Sequence, residues 1–523
     1  MPFLTVLKSR LRLTVHGAAI TPDRAVTFLI VIALVFRLVW GAVLEASNDE
    51  SYHYLYTTHP ALSYFDHPPM LMWVTQAGIL LCGGWVHPLS LRLGFVLLFA
   101  VTTWIVYRWV GRWYNPWAGF YAALFLNLSA YYLAAGGFAL PDGPFLFFAI
   151  LTSWALCEAI LAKPGQILPW VWVGLGFGGA LLSKYHAVLL PAGVVVYALL
   201  TPGARWLLRS PGPYLAIAIG FAAFSPVLIW NAENEWASFA FQAARASGGQ
   251  FRIAGFLQAT FGSAAYLFPW IWGLLVWVLW KQLLRFGSVR GLDRLLVCLA
   301  IVPIGFFGVV SCYQRVLPHW PLFGFALLYP LAGAAWARWA AGNPVWSRRR
   351  IGAMVATALA STLLVIAQAR FGVFRFPSND PLSDLSGWES VGAELTSRGL
   401  IAEPHTFLFT ASWHQSGQLA FVLREQVPVL CYNGLDARGF AFWSQPDDWV
   451  GWNGLLVATA DCPQDLEVFA KFFRRIEPVA VFPMTRGGTP FRTVWVYRCI
   501  EQIHPFPFTY KKLISPGLKN PRS

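Results

Sequence analysis

About eleven apolar runs of roughly 20 residues, separated by short polar breaks, fill the first 370 residues of this 523-residue chain. They fall near 25–44, 88–108, 116–136, 142–162, 168–183, 186–202, 213–230, 257–280, 294–311, 319–340 and 351–369. Runs of that length match the thickness of a bilayer's hydrocarbon. Hydrophobic residues make up 57% of the chain and charged residues 12%, about half of the ~25% usual in soluble domains. The fold class expected is therefore a polytopic α-helical membrane protein. Met1 to Arg24 is basic through Lys8, Arg10, Arg12 and Arg24. The run after it is long enough to span and no small-residue site closes it, so no cleavable signal peptide is expected.

The run 168–202 decides the topology, because Lys184-Tyr185-His186 splits it into two short pieces. With a cytoplasmic N-terminus and two crossings there, one set of loops collects Arg108, Arg112, Lys163, Arg205, Arg209, Lys281, Arg285, Arg290, Arg294 and Arg348 to Arg350. The opposite set holds mostly Asp49, Glu50, Asp66, Asp142, Glu233 and Glu235. A single crossing would break this bias, so two are expected, with the acidic loops outside. Membrane topology accounts for the net charge of +14 better than nucleic-acid binding does.

After about residue 371 the composition turns ordinary. Pro377, Asn379, Asp380, Pro381, Asp384 and Glu389 mark a linker. β-rich runs at Thr406–Thr410, Pro428–Tyr432, Gly454–Ala458, Val479–Phe482 and Thr493–Cys499 alternate with helical ones at Trp388–Arg398, His414–Leu423 and Pro463–Phe473. A small α/β extracytoplasmic domain is expected over 371–523, beside a membrane domain over 1–370 with outer loops 45–87 and 231–256. Cys82, Cys157, Cys298 and Cys312 read as buried small hydrophobes, while Cys431, Cys462 and Cys499 allow one disulfide. No CxxC or HExxH spacing occurs, and no structural metal is expected.

The chemistry-bearing residues gather in the outer loops. Where the first run leaves the bilayer, Asp49 and Glu50 stand within a few residues of hydrocarbon, a costly place for an acid pair. If the following residues are helical, Asp49, Tyr52, His53 and Tyr56 share a face. A carboxylate so placed suits a general base for a hydroxyl, or else an N-cap, which Asn48 or Asp49 would also supply. Tyr64-Phe65-Asp66-His67-Pro68-Pro69 then opens onto an apolar helix. Asp66 is either that helix's cap or the residue that orients His67, with His67 and the tyrosines holding a phosphate. Asp142, in Pro141-Asp142-Gly143, reads alone as a turn residue. Lys184 and Tyr185, then Arg315, His319 and Trp320, add cationic and aromatic groups on the same expected side, as does Asn231 with lower weight. Lys184 either snorkels or neutralises a phosphate, and Trp320 alone fits an aromatic belt. Carboxylates and cations from five loops on one side describe a site at the mouth of a helix bundle.

Asp49-Glu50, Tyr64 to Pro69, Pro141-Asp142, Ser183-Lys184-Tyr185, Pro226 to Asn231 and Leu317-Pro318-His319-Trp320-Pro321, in this order and spacing, resemble the bacterial glycosyltransferases of the GT-C fold. More narrowly, the chain is similar to the protein O-mannosyltransferase superfamily, in the branch of aminoarabinose and galacturonic acid transferases of lipid A. Asp380-Pro381 and Gly387-Trp388 look like the usual start of that family's outer domain. The resemblance implies a polyprenyl-phosphate sugar donor, a lipid, glycan or protein acceptor outside the cytoplasmic membrane, and an inverting single displacement without cofactor or catalytic metal. It implies Asp49 as base and Asp142 as second acid, with Glu50 beside them. Lysine often precedes the proline of the second motif in that family, and His67 stands there here, so Lys184, Arg315 and Tyr64 join His67 as candidates for the donor phosphate. Tyr52, His53, Asp66, Tyr185, His319, Trp320 and Asn231 are left for substrate. A transporter or flippase of lipid-linked sugars is the alternative, although Arg37 is the clearest charge inside a run and no two-fold repeat is visible. A glycan-binding scaffold without activity is a third reading.

Overall fold

The computed structural model describes residues 13–508, apart from 16, 17, 164, 290, 375, 377–379, 381 and 460–462. Lys8, Arg10, Arg12, the loop cation Arg290, the linker residues Pro377, Asn379 and Pro381, and Cys462 thus lie outside the described residues. The chain divides into two compact units, Met1–Val39 with Arg92–Ser225 and Ala243–Thr362, and Trp40–Leu91 with Pro226–Gln242 and Leu363–Ser523. This grouping differs from the expected division at residue 370.

Among the described residues, five helices are long and apolar enough to cross a bilayer: Pro22–Val43, Pro88–Trp113, Asp142–Leu161, Leu292–Ser311 and Pro344–Phe371. The first and last bury only 22% and 11% of their apolar windows. Phe28, Ile32, Val35 and Val39 point outward, a surface that suits lipid and not water. The run 168–202 forms two helices, Leu168–Ser183 and Leu189–Leu200, joined by Lys184 in extended backbone and a short 3-10 turn at Tyr185–Val188. The run 257–280, expected as one span, is instead broken. Ile253–Leu267 and Pro269–Leu284 meet at 113°. Phe268 between them has φ 63°, and a residue before proline is disfavoured from continuing a helix.

Small residues set the helix spacing in this unit. Helix Leu168–Ser183 carries Gly174 and Gly178 against Ile219 and Ala223 of Pro211–Ala223, and Gly176 and Gly179 against Thr152 and Phe148 of Asp142–Leu161. It is thus clasped on two sides, as helix pairs in lipid are when packing rather than water exclusion drives them. Gly333 of Tyr329–Gly342 likewise lies directly on the Ala118 carbonyl of Pro116–Leu128.

In the second unit five strands form one sheet: β1 (Thr406–Thr410), β2 (Val429–Cys431), β3 (Asn453–Ala458), β4 (Phe473–Arg486) and β5 (Thr489–Gln502). The order is β2-β1-β3-β5-β4, parallel across β2, β1 and β3 and antiparallel beyond. Every residue of β1 is buried, because both faces are covered. Leu408 joins Trp388, Leu395, Leu419 and Leu455 in the core, whereas Phe407 and Phe409 pack on Tyr432 and Phe473. Phe473, expected at the end of a helix, starts β4, and the helix stops at Phe469. Among the described residues, Cys431 and Cys499 form no disulfide.

Residues 45–87, between the first two long helices, form part of this second unit. Helix Asn48–Thr58 lies on Trp413–Leu423, where Gly417 lets the backbone approach Tyr52. Ser51 Oγ donates to Gln418 Oε1 at 2.8 Å, and Gln418 Nε2 donates to Ala46 O and Asn48 Oδ1.

Replacing Gly333 by valine drives a branched side chain into the Ala118 carbonyl, a backbone group that cannot swing aside. Overpacking of this kind costs about 1–3 kcal/mol, so the thermal midpoint of the detergent-solubilised protein is expected to fall. An unchanged midpoint would show that the two helices do not approach so closely.

Candidate active site

In the first unit, Asp142 and Lys184 meet where two helices end. Asp142 is the first residue of Asp142–Leu161, and Lys184 follows the last residue of Leu168–Ser183. Lys184 Nζ donates to Asp142 Oδ1 at 2.7 Å, and both side chains are nearly buried. A helix N-terminus favours the carboxylate and a C-terminus the ammonium, so each charge sits where the local backbone field suits it. The Tyr131 hydroxyl also bonds Asp142. The Tyr131 ring stacks between His319 at 5.4 Å and Tyr266 at 5.7 Å. Ser263 Oγ donates to Pro318 O at 3.1 Å and fixes the loop that carries His319 and Trp320. Trp320 meets His186 on one side, and the Arg245 guanidinium lies 4.9 Å from its ring. Tyr185 packs on Phe224 nearby in sequence.

In the second unit the centre is Asp66, a carboxylate only 2% exposed. Tyr52 Oη donates to its Oδ1 at 3.1 Å, the Tyr56 hydroxyl donates to the same oxygen, and Arg438 Nη1 donates to Oδ2 at 3.0 Å. Gln242 donates to the Asp66 backbone carbonyl, and Gly439 N donates to Tyr52 Oη at 2.9 Å. Arg438 lies 3.7 Å over the Trp413 ring. Burial pushes the Asp66 carboxyl up, but His67, Arg438, the Tyr56 hydroxyl and His53 outweigh it and hold it down at about 2. Burial and the adjacent Asp66 charge push the Tyr52 and Tyr56 hydroxyls up, which keeps them donors. His67 is half-buried, edge-on to His53 at 5.4 Å.

The other candidates are placed differently from one another. Asp49 is exposed in the first turn of Asn48–Thr58. Glu50 is buried, and its carboxylate accepts from Ser47 N at 3.0 Å while Ser47 Oγ accepts from Glu50 N, a reciprocal capping box. The N-cap is thus Ser47, and neither Asn48 nor Asp49 fills that place. Tyr64 stacks on Tyr56 at 3.9 Å, and its hydroxyl donates to Tyr56 O at 2.9 Å, so it serves the loop's own structure. Asn231 is buried with Nδ2 on Val227 O and Oδ1 unpartnered. Arg315 is exposed, and the cation stacked on Trp320 is Arg245 instead. Neither Arg245 nor Arg438 carried a sequence signal, because each meets its partners across long stretches of chain.

Residues 66–230 match the model of the dolichyl-phosphate-mannose-protein mannosyltransferase family. A lipid A galacturonosyltransferase, RgtD of Rhizobium johnstonii, is 23% identical over 305 residues. That alignment takes in 56% of this chain and 59% of the relative, so the chain spans well under two thirds of that relative's length. ArnT from Cupriavidus metallidurans superposes with a TM-score of 0.59 in its apo state, at 18% identity over 91% of this chain and 98% of its own. ArnT bound to undecaprenyl phosphate superposes with a TM-score of 0.58, at 17% identity over 90% and 97%. The chain thus shares its fold with the ArnT structures, and residues 66–230 are similar to the dolichyl-phosphate-mannose-protein mannosyltransferases.

Proposed function

We propose that the protein is an inverting glycosyltransferase. It moves a sugar from a polyprenyl-phosphate donor to a hydroxyl of a lipid A-like, glycan or protein acceptor on the outer side of the bacterial cytoplasmic membrane. The observation that carries this reading is the buried Asp142–Lys184 pair at two helix ends, ringed by Tyr131, His319 and His186. An ammonium held by a single carboxylate is ready to exchange that partner for a phosphate. Arg245 adds a second positive charge to the same cluster, acting on both His186 and His319.

In the proposed reaction Asp49 takes the proton of the acceptor hydroxyl. The oxygen attacks the anomeric carbon from the face opposite the phosphate. The sugar–phosphate bond breaks, and the polyprenyl phosphate leaves with its electron pair. Lys184, or alternatively His67, takes the charge that grows on the leaving oxygen, as electrostatic stabilisation of a developing anion requires. Asp142 positions Lys184 and the sugar. Asp66, ionised at every pH of the cell envelope, puts a fixed anion beside the His67 imidazole. The transport alternative finds less support. Arg37, the charge inside a run, donates to Asn127 Oδ1 at 3.2 Å and lies 4.3 Å from the Phe99 ring, which fits helix packing.

Purified protein in lipid nanodiscs, given a panel of polyprenyl-phosphate sugars, is expected to transfer from at least one with inverted configuration. Asp49→Asn is expected to lower kcat by about 10²–10⁴-fold, the usual worth of a general base, with unchanged thermal stability. Full activity in Asp49→Asn would remove Asp49 as base. No turnover of any donor by a well-folded sample would move the reading to transport or scaffolding.

Lys184→Met strands a buried carboxylate and is expected to cost about 3–5 kcal/mol of stability. The double variant with Asp142→Asn restores the melting temperature but not the turnover. Recovery of both would show that the pair is structural only.

His67→Ala is expected to raise donor KM with the melting temperature little changed. An unchanged donor KM would exclude His67 from the phosphate.

A further inference from the structure

In the second unit a cavity of about 320 Å³ lies against the end of helix Asn48–Thr58, and the proposed chemistry uses none of its lining. Thr58 and His59 come from that helix end, Glu425 from the turn after Trp413–Leu423, and Trp443, Ser444 and Trp449 from the segment between β2 and β3. The walls combine rings with the aliphatic side chains of Leu55, Val427, Pro428, Val429 and Leu430. The His59 ring stacks on Trp443 at 4.8 Å and 21°, and the Trp449 indole packs on Phe407 behind it. The polar groups sit among these rings. Among the described residues, the Glu425 carboxylate and the Ser444 hydroxyl make no hydrogen bond or ion pair within the protein. His59 uses Nδ1 toward Leu55 O and Thr58 Oγ1, which leaves Nε2 for a ligand. Glu425 is held in place by two successive left-handed residues, Arg424 at φ 48° and Glu425 itself at φ 61°.

A ligand that fits must offer an apolar face to rings and a rim of hydrogen-bonding groups to a carboxylate and hydroxyls. A pyranose does both: its axial C–H bonds form one face and its hydroxyls the edge. Charge narrows the class. Glu425 is the one acidic side chain lining the cavity, Asp447 and Asp448 follow exposed on the same segment, and burial pushes the His59 imidazole down toward its neutral form. A carboxylate there accepts paired hydroxyls or an ammonium group and repels uronic acids and sugar phosphates.

We propose that this cavity is a carbohydrate subsite for a neutral or amino-bearing pyranose in the headgroup of the acceptor. The assignment to the acceptor rests on the transferase reading above. The sugar-binding chemistry does not.

The test uses full-length protein in nanodiscs and saturation-transfer NMR with the methyl glycosides of glucosamine, mannose and galacturonic acid at pH 7. Saturation is expected for the first two and not for the third. Glu425→Gln is expected to weaken glucosamine binding at least fivefold. Glu425→Lys is expected to admit galacturonate, and since Glu425 is exposed neither variant should lower the melting temperature. Absence of saturation in the wild type, or the same sugar preference in Glu425→Lys, overturns the subsite. In turnover assays, a fivefold rise in acceptor KM for Glu425→Gln with donor KM unchanged assigns the subsite to the acceptor. A rise in donor KM alone overturns that assignment. Sugar binding in a protein that turns over no donor would leave the subsite standing while the transferase reading fell.

Discussion

A carboxylate withdrawn from water stays ionised only if the protein supplies donors in water's place, and two aspartates of this chain impose that demand on their surroundings. Asp66 is met by two tyrosine hydroxyls and a guanidinium, and those partners come from helix Asn48–Thr58 and from the segment after β2. Its environment therefore ties residues 48–67 to the segment that carries Arg438. Asp142 is met by one ammonium and one phenol, and those partners lie on the helices flanking it. Removing one member of such a pair costs roughly 3–5 kcal/mol, comparable to the margin by which whole domains are stable. In each unit the charge and the packing are one construction.

The placement of the Asp142–Lys184 pair also differs from that of Arg37. Asp142 and Lys184 stand at helix ends, where free backbone groups already favour their signs. Arg37 stands within Pro22–Val43, bonded to Asn127, whose amide in turn donates to Thr103 Oγ1 at 3.0 Å. A polar chain of that kind joins helices. Groups at helix ends remain able to change partners.

Much of this was legible from local signals. Apolar length located five long helices, the Lys184 break separated Leu168–Ser183 from Leu189–Leu200, and alternation with turn residues located β1, β2 and β3. Asp142 with Lys184 was legible as two members of a candidate site, though nothing in the string showed that they touch. What stayed hidden was non-local or depended on one residue's backbone. The break at Phe268 sits inside an unbroken apolar run, and only the proline after it hinted at 113°. Glu50 looked like half of an acid pair, but Ser47 three residues earlier makes it a cap. Arg438 reaches Asp66 across 372 residues of sequence, a pairing that no spacing rule addresses. β4 begins earlier than its apolar core because Arg475 to Glu477 pair with β5 although two of the three are charged.

The contact between Ser51 and Gln418 spans 367 residues, and it gives the chain an order of assembly. Helix Asn48–Thr58 is translated well before the surface it packs on, which follows 367 residues later at Gln418. At about 5–20 residues per second, Tyr52, Tyr56 and Asp66 wait roughly 20–70 seconds for Trp413, Arg438 and Gly439. During that interval an aromatic segment, already capped by Ser47 and Glu50, still lacks the surface of Gln418 and Arg438 that completes it.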